Sequence, residues 1–358
     1  MAHGLFQPTG GDEDIEDIGE LYIKKLVSAS LLQIDASSYS FNLKNSMTFK
    51  RLKMHDLVHE LARLTMKESS KARSTVQLGQ QQEASMEELA SHKFNYLKVF
   101  NLEEMKFISL PDNCFPKMKK HLRYLNLKGC SSLKTLPNSI CDLQNLQCLN
   151  LPKCYNLQEL PKKMKNLISL QYFFLTTQVT SLSSMNIGHF RQLKFLFLWY
   201  CTKLVSVPSA VGRLTALKKL VIHWCFDLVN FEGEEEEEKK NVVAYSLNLQ
   251  VLEINGSFKL EALPDWLYRA TKLRYLRIWG GRMKSFPTCF PSDSLEELRI
   301  ISCKFLTFLP INMDQFHNLQ FLEIDDCPIL SARYNKKTGL DLKKVAHIPY
   351  CEVSLFNF

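Results

Sequence analysis

Leucine recurs along this chain at a spacing that neither an isolated helix nor an isolated strand would impose. Leu122, Leu125, Leu127, Cys130, Leu133, Leu136 and Pro137 are answered 24 residues later by Leu146, Leu149, Leu151, Cys154, Leu157, Leu160 and Pro161. The phase returns at Leu170, Leu193, Leu217, Leu249, Leu273, Leu295 and Leu319, and more weakly upstream at Leu97. In most units the residues between the leucines of the first, fourth and sixth positions are polar or aromatic, with Cys148, Val221 and Val251 among the departures. That alternation predicts a short strand with its leucines on one face. About ten units of this kind cover roughly two thirds of the sequence.

A fixed period in this range, phased as L-x-x-L-x-L-x-x-C-x-x-L-x-x-L-P, predicts a leucine-rich-repeat solenoid. The expected fold is α/β, a curved parallel sheet in which each repeat leans only on its neighbours. The repeats are expected over 96–330, after a polar linker at 71–95 with a short helix at Met86 to Leu89. Residues 331–358 are expected to form a cap or tail. One unit is long: Leu217 to Leu249 is 32 residues, and the excess falls at Glu232 to Lys240, including the run Glu234 to Glu238. A charge run of this sort reads as a solvated loop on the rim or back of the arc.

Alternation also sends the non-leucine positions of every strand to the concave face, where equivalent residues form columns about 4.8 Å apart. The third position carries Tyr172, Phe195 and Tyr275; the fifth carries Phe174, Phe197 and Arg277; the seventh adds Trp199, His223 and Trp279. A core does not need aromatic residues on an outward face, and aromatic and Arg side chains dominate protein-binding hot spots. Cross-strand packing that merely stabilises the sheet is the other reading of the same residues. Tyr172, Phe174, Phe195, Phe197 and Trp199 come from two adjacent strands and are expected to form an apolar patch of a few hundred Å² (order of magnitude). Tyr275, Arg277 and Trp279 complete the candidate protein-binding face.

Residues 1–70 do not repeat. Ile15, Ile18, Tyr22, Leu26 and Ala29 have helical spacing behind the acidic stretch Asp12 to Asp17. Leu31 to Ile34 and Phe49 to Met54 read as the strands of a small hairpin. Met54 to Lys67 reads as an amphipathic helix through Leu57, Leu61 and Leu64. Helix, hairpin and helix is the pattern of a winged helix. His55 and His59 lie one turn apart on that last helix, a spacing that could serve zinc, but no third ligand is indicated and Asp56 stands where a zincin carries Glu.

The stretch Lys53-Met54-His55-Asp56-Leu57-Val58-His59-Glu60-Leu61-Ala62 resembles the M-H-D signature of plant nucleotide-binding leucine-rich-repeat (NB-ARC/LRR) disease resistance proteins. Glu16 to Tyr22 with Leu26 to Gln33 is similar to the helix that precedes this signature. Lys337 to Leu342 with Ala346-His347-Ile348-Pro349 is similar to the C-terminal tail of the coiled-coil subgroup. The resemblance implies the C-terminal portion of an intracellular immune receptor, with 1–70 the winged-helix end of its NB-ARC region. It implies recognition of a pathogen effector or a guarded host protein, autoinhibition, and contact with NB-ARC or coiled-coil domains. A truncated scaffold binding receptor domains in trans is the alternative. By the same resemblance His55 and Asp56 sense the nucleotide, ADP or ATP in the full-length family. This chain has no G-x-x-x-x-G-K-[ST], so no cofactor of its own is expected.

Composition narrows the chemistry further. No Ser/His/Asp or Cys/His constellation and no Gly-rich phosphate loop is visible, so no enzyme activity is expected. The net charge of +8 is moderate and its basic residues are scattered, which argues against nucleic acid. No run of 18 apolar residues predicts a membrane span, and the first residues lack the pattern of a secretory signal, so a cytoplasmic location is expected. Of eleven cysteines, Cys130, Cys154, Cys201, Cys225, Cys303 and Cys327 share the ninth repeat position. They are expected to form a buried, reduced ladder; a metal or redox site is the alternative, but no C-x-x-C pair occurs.

Overall fold

The computed structural model describes residues 96–232, 247–288, 290–291, 293–334 and 339–354, with three short strands before them. Two of these, β1 (Leu32–Ile34) and β2 (Leu52–Met54), pair antiparallel with Gln33 opposite Lys53, the hairpin expected of the winged helix. The helices expected around it, with His55, Asp56 and His59, and the helix expected at Met86 to Leu89 lie outside the described residues.

The third short strand, β3 (Thr75–Gln77), begins the repeats' sheet. It is followed by β4 (Val99–Asn101), β5 (Tyr124–Asn126), β6 (Cys148–Leu151), β7 (Tyr172–Leu175) and β8 (Phe195–Trp199). A short strand, β9 (Ser206–Pro208), then precedes β10 (Lys219–His223), and another, β11 (Asn230–Glu232), precedes β12 (Val251–Asn255). The series closes with β13 (Tyr275–Trp279), β14 (Glu297–Ile301), β15 (Phe321–Asp325) and β16 (Tyr350–Ser354). All except β1, β2, β9 and β11 form one 12-stranded sheet, and its neighbours run parallel. The sheet thus starts inside the segment 71–95 that was expected to be a linker. Val76 stands opposite Phe100, at the same offset of 24 residues as the leucines.

The leucines face inward because burying them is the only large gain a single repeat can make. Leu122, Leu125, Leu127, Leu146, Leu149 and Leu151 have no exposed surface. Each fully buried side chain contributes about 1.5–3 kcal/mol relative to exposure. Behind the sheet the chain returns through short 3-10 turns such as Asn138–Asp142, Ser209–Arg213 and Asp265–Arg269. Each of these three follows a proline, whose fixed φ favours such a start. A second parallel ladder runs behind the main one: β9 pairs with β11, and isolated bridges join Ser109, Thr135 and Glu159. The one α-helix among the described residues, α1 (Pro328–Tyr334), precedes the last strand.

Just after each main strand the chain turns sharply. The eighth residue of nine repeats sits in the left-handed region: Glu104, Gly129, Lys153, Tyr200, Trp224, Gly256, Gly280, Ser302 and Asp326. This turn aims the eighth N–H at the seventh carbonyl of the next repeat, as in Tyr200 to His223 (2.8 Å), Trp224 to Asn255 (2.7 Å) and Gly256 to Trp279 (2.9 Å). Lys153 is the exception. Its N–H donates to Thr176 Oγ1 at 3.1 Å, and that hydroxyl donates to the Trp199 carbonyl at 2.6 Å, so one side chain carries the seam across the 23-residue repeat.

The ninth-position thiols point inward and donate to carbonyls of the preceding repeat. Cys130 reaches Leu102 at 3.0 Å, Cys154 reaches Leu127 at 3.1 Å, and Cys303 reaches Gly280 at 3.3 Å. The described cysteines are all free thiols. Burial pushes Cys130 up from 9.0 to about 12, and burial with the nearby Asp112 charge does the same to Cys114. Between these values the unfolded chain has lost the thiol proton and the folded chain keeps it. Stability is therefore full below pH 9 and falls as pH rises, by about 1.4 kcal/mol per pH unit for each such thiol. Urea unfolding at pH 8 and pH 10 is expected to show this loss, and Cys130→Ala is expected to shrink it. Equal midpoints at the two pH values would mean that these thiols already ionise in the folded protein.

Candidate protein-binding face

Strand register builds the columns residue by residue. Tyr172, Phe195, Lys219, Val251, Tyr275, Glu297 and Phe321 stand opposite one another in sequence. So do Phe174, Phe197, Val221, Glu253, Arg277, Arg299 and Glu323, and so do Trp199, His223, Asn255 and Trp279. All eight candidate residues thus share the sheet face turned away from the leucine core.

They are not equally open on it. Phe174 (8% exposed) and Phe195 (4%) are buried, because neighbouring columns of rings close over each other; Val221 joins them. Phe174 and Phe195 lie 5.2 Å apart between centroids, and Phe174 meets Phe197 edge-on at 6.2 Å. Tyr172 and Phe197 are half-buried against this second apolar cluster, and Trp199 is half-buried further along its strand. The expected open patch of five rings is therefore a small surface core with a half-open margin. Tyr275 is buried too, whereas Arg277 and Trp279 are half-buried.

Exposed aromatic surface lies one step further along, on the rim where the strands end. Tyr155, Tyr200 and Phe258 are exposed, and Trp224 and Phe226 are half-buried. Ring contacts join them into one chain: Tyr155 to Tyr200 (5.7 Å), Tyr200 to Phe226 (5.7 Å), Phe226 to Phe258 (6.3 Å) and Phe258 to Trp279 (6.5 Å). Trp199 meets Tyr200 at 6.4 Å, and Trp224 packs edge-on against Trp279 at 4.9 Å. These residues occupy the eighth and tenth repeat positions, so continuing the columns past the seventh position would have found them. Tyr200 and Trp224 hold left-handed backbone with bulky side chains, at a cost of roughly 1–2 kcal/mol each. The inter-repeat hydrogen bonds and ring contacts offset that cost.

The two ends of the face are polar. On the N-terminal side an amide ladder runs up the fifth column, with Asn150 donating to Asn126 and Asn126 to Asn101, both at 2.8 Å. On the C-terminal side the same column carries charge. Arg299 pairs with Glu297 and, at 2.9 Å, with Glu323, and its guanidinium lies 4.6 Å from the Phe321 ring centre. Glu253, almost fully buried, meets His223 Nε2 at 3.3 Å. A cleft of about 440 Å³ runs along the third column past Lys219, Val251, Tyr275, Glu297 and Phe321. No cluster of three or more metal-ligating side chains occurs among the described residues. No helix there is long and apolar enough to cross a membrane.

Comparison with known proteins agrees with this architecture. Residues 71–327 match the family described as leucine-rich repeat region, and residues 1–62 match the winged helix domain of disease resistance proteins. Disease resistance protein RPP5 of Arabidopsis thaliana is 29% identical over 254 residues, covering 63% of this chain and 16% of that protein. Disease resistance protein RGA2 of Solanum bulbocastanum is 32% identical over 145 residues, covering 40% and 12%. The chain thus spans less than a fifth of the length of either relative. Among solved structures, the leucine-rich repeat domain of the type III effector XopL aligns with a TM-score of 0.48 at 18% identity, covering 88% of this chain and 97% of that one. Twelve parallel strands in one register, the leucine core behind them and the family match over residues 71–327 lead to one conclusion: the chain belongs to the leucine-rich-repeat family, with residues 1–62 similar to a disease-resistance winged helix domain.

Proposed function

We propose that this chain is the recognition part of a plant intracellular immune receptor, and that it binds a pathogen-derived or host protein. The binding surface comprises the half-open margin of the sheet face, Trp199, Arg277 and Trp279, together with the aromatic rim. The observation that carries this reading is the chain of rings from Tyr155 to Trp279, which draws on five repeats and leaves Tyr155, Tyr200 and Phe258 exposed. A core gains nothing from exposing them, and rings of this kind anchor interfaces. In a whole receptor, occupation of this surface would be coupled to the nucleotide switch, with His55 and Asp56 on the switch side. The same surface would hold NB-ARC or coiled-coil domains in the resting state. Free thiols along the ladder suit a reducing cytoplasm.

The test pairs Trp199→Ala with Phe258→Ala in the full chain. Association with the nucleotide-binding domain of a disease resistance protein, and with a panel of effectors, is compared with wild type. Both side chains are at least partly open, so melting is expected to fall by no more than about 3 °C. Affinity is expected to fall about thirtyfold, the effect of removing one hot-spot anchor of ~2 kcal/mol. Unchanged affinity for every partner that wild type binds would overturn the proposal.

A further inference from the structure

On the fifth column Arg277 stands directly between Glu253 and Arg299. Opposite charges facing each other across strands normally pair. Here the Glu253 carboxylate turns instead to His223 Nε2 at 3.3 Å and to the Asn255 amide at 3.5 Å. On the other side Arg299 is itself a cation, already engaged by Glu297 and Glu323. Arg274, three residues earlier, is held in a two-pronged pair with Glu296 at 2.7 and 2.9 Å. Arg277 forms no ion pair with any described residue, and its Nε and Nη1 are buried without a hydrogen-bond partner.

Leaving a charged donor buried and unmatched is among the costlier things a folded protein does. The neighbouring residues could have removed that cost. A carboxylate lies directly opposite, yet it is committed elsewhere, and the guanidinium on the other flank adds like charge. Trp279 follows Arg277 on the same face, and the cleft along the third column passes Tyr275 beside it. Burial and the nearby Glu253 charge push the Tyr275 hydroxyl up to about 12, with Arg277 and Arg299 pulling it the other way and Glu297 adding to the rise, so charges of both signs meet at this spot. Asn255 Oδ1, on the adjacent strand, is likewise buried without a partner.

We propose that Arg277 is the anchor for a carboxylate, an Asp or Glu side chain of the bound protein, received between Tyr275 and Trp279. This deepens the recognition role above and rests on that reading for the identity of the partner, but not for the chemistry of the site. A guanidinium matches a carboxylate in planar geometry and charge, which gives a shorter and stronger hydrogen bond than a neutral acceptor would. Charge complementarity thus selects the occupant: Glu253 is engaged by His223 and Asn255, Glu297 and Glu323 by Arg299, and the Arg277 guanidinium is the cation left to pair.

The test uses the isolated full chain and needs no identified partner. Arg277→Met keeps the aliphatic bulk and removes the unmatched donors, so it is expected to melt at or above the wild-type temperature. Wild type titrated with sodium acetate, against sodium chloride at equal ionic strength, is expected to gain about 2–4 °C once acetate is about tenfold above its dissociation constant. Arg277→Met is expected to show no difference between the two salts. A melting temperature several degrees lower in Arg277→Met would mean that the fold already satisfies the side chain, and would overturn the proposal. So would an absent acetate effect in wild type, or a gain with inorganic phosphate alone, which would assign the site to phosphate. None of these readings depends on the rim variants, so the two proposals fail separately.

Discussion

Phe195→Ala is expected to destabilise the protein by about 3–5 kcal/mol, although Phe195 points away from the leucine core. The ring is 4% exposed and lies between Phe174, at 5.2 Å, and Phe197, at 6.3 Å, with Val221 closing the far side. Truncation would leave a cavity lined by Phe174, Phe197 and Val221 on short strands that cannot collapse into it. For a solenoid of this size the melting temperature should fall by roughly 6–15 °C. Trp199→Ala, half-buried four residues later, should cost far less. Urea and thermal unfolding of the two variants decide the matter. A Phe195→Ala protein within about 1 kcal/mol of wild type would show that the rings on this face do not pack as a unit, and would return Phe195 to the pool of binding candidates.

Gly256→Ala is expected to cost about 2–4 kcal/mol, from two separable sources. Its φ of +73° disfavours any L side chain by roughly 1–2 kcal/mol. A methyl group there would stand 2.5 Å from Trp224 Cε3, an overlap costing about 1–3 kcal/mol. Tyr200 and Trp224 adopt the same left-handed turn with full side chains, so the backbone alone does not forbid alanine. The overlap can be removed by combining Gly256→Ala with Trp224→Ala. If overlap dominates, the double variant should be more stable than the sum of the two single changes predicts, by 1 kcal/mol or more as an order of magnitude. Strict additivity would assign the whole loss to the turn.

These two positions mark where the sequence stops being a sufficient guide. Leu125 and Leu149 announce their burial because a leucine repeating with a fixed phase has only one apolar side to occupy. The same phase places Phe195, Arg277 and Trp279 in their columns, and the registers agree position by position. Periodicity does not say how far side chains on the open face cover one another. That depends on whether neighbouring positions both carry large rings, as at Phe174 and Phe195, or a ring next to a small polar side chain, as at Trp279 and Asn255. The rim was missed for a different reason. Tyr200 and Trp224 lie past the alternating stretch, where the turn rather than the strand decides direction. Thr75–Gln77 reads as linker in the sequence because its unit keeps only one of the leucines, Leu78 at the sixth position, with Arg73 at the first and Val76 at the fourth.

The long repeat is instructive about growth. Lys219 pairs with Val251 and His223 with Asn255, so the sheet crosses the 32-residue unit without a slipped residue. Extra chain entering after β11 is therefore mechanically silent on the face that carries the columns. Lengthening such an excursion twofold adds only about 0.6 kcal/mol of closure entropy. The same residues entering between a strand and its left-handed turn would break the hydrogen bond to the next repeat and set every later column out of line. This scaffold thus has a tolerant seam and an intolerant one, and lineages that carry it should vary in length at the first while varying only in side chain at the second.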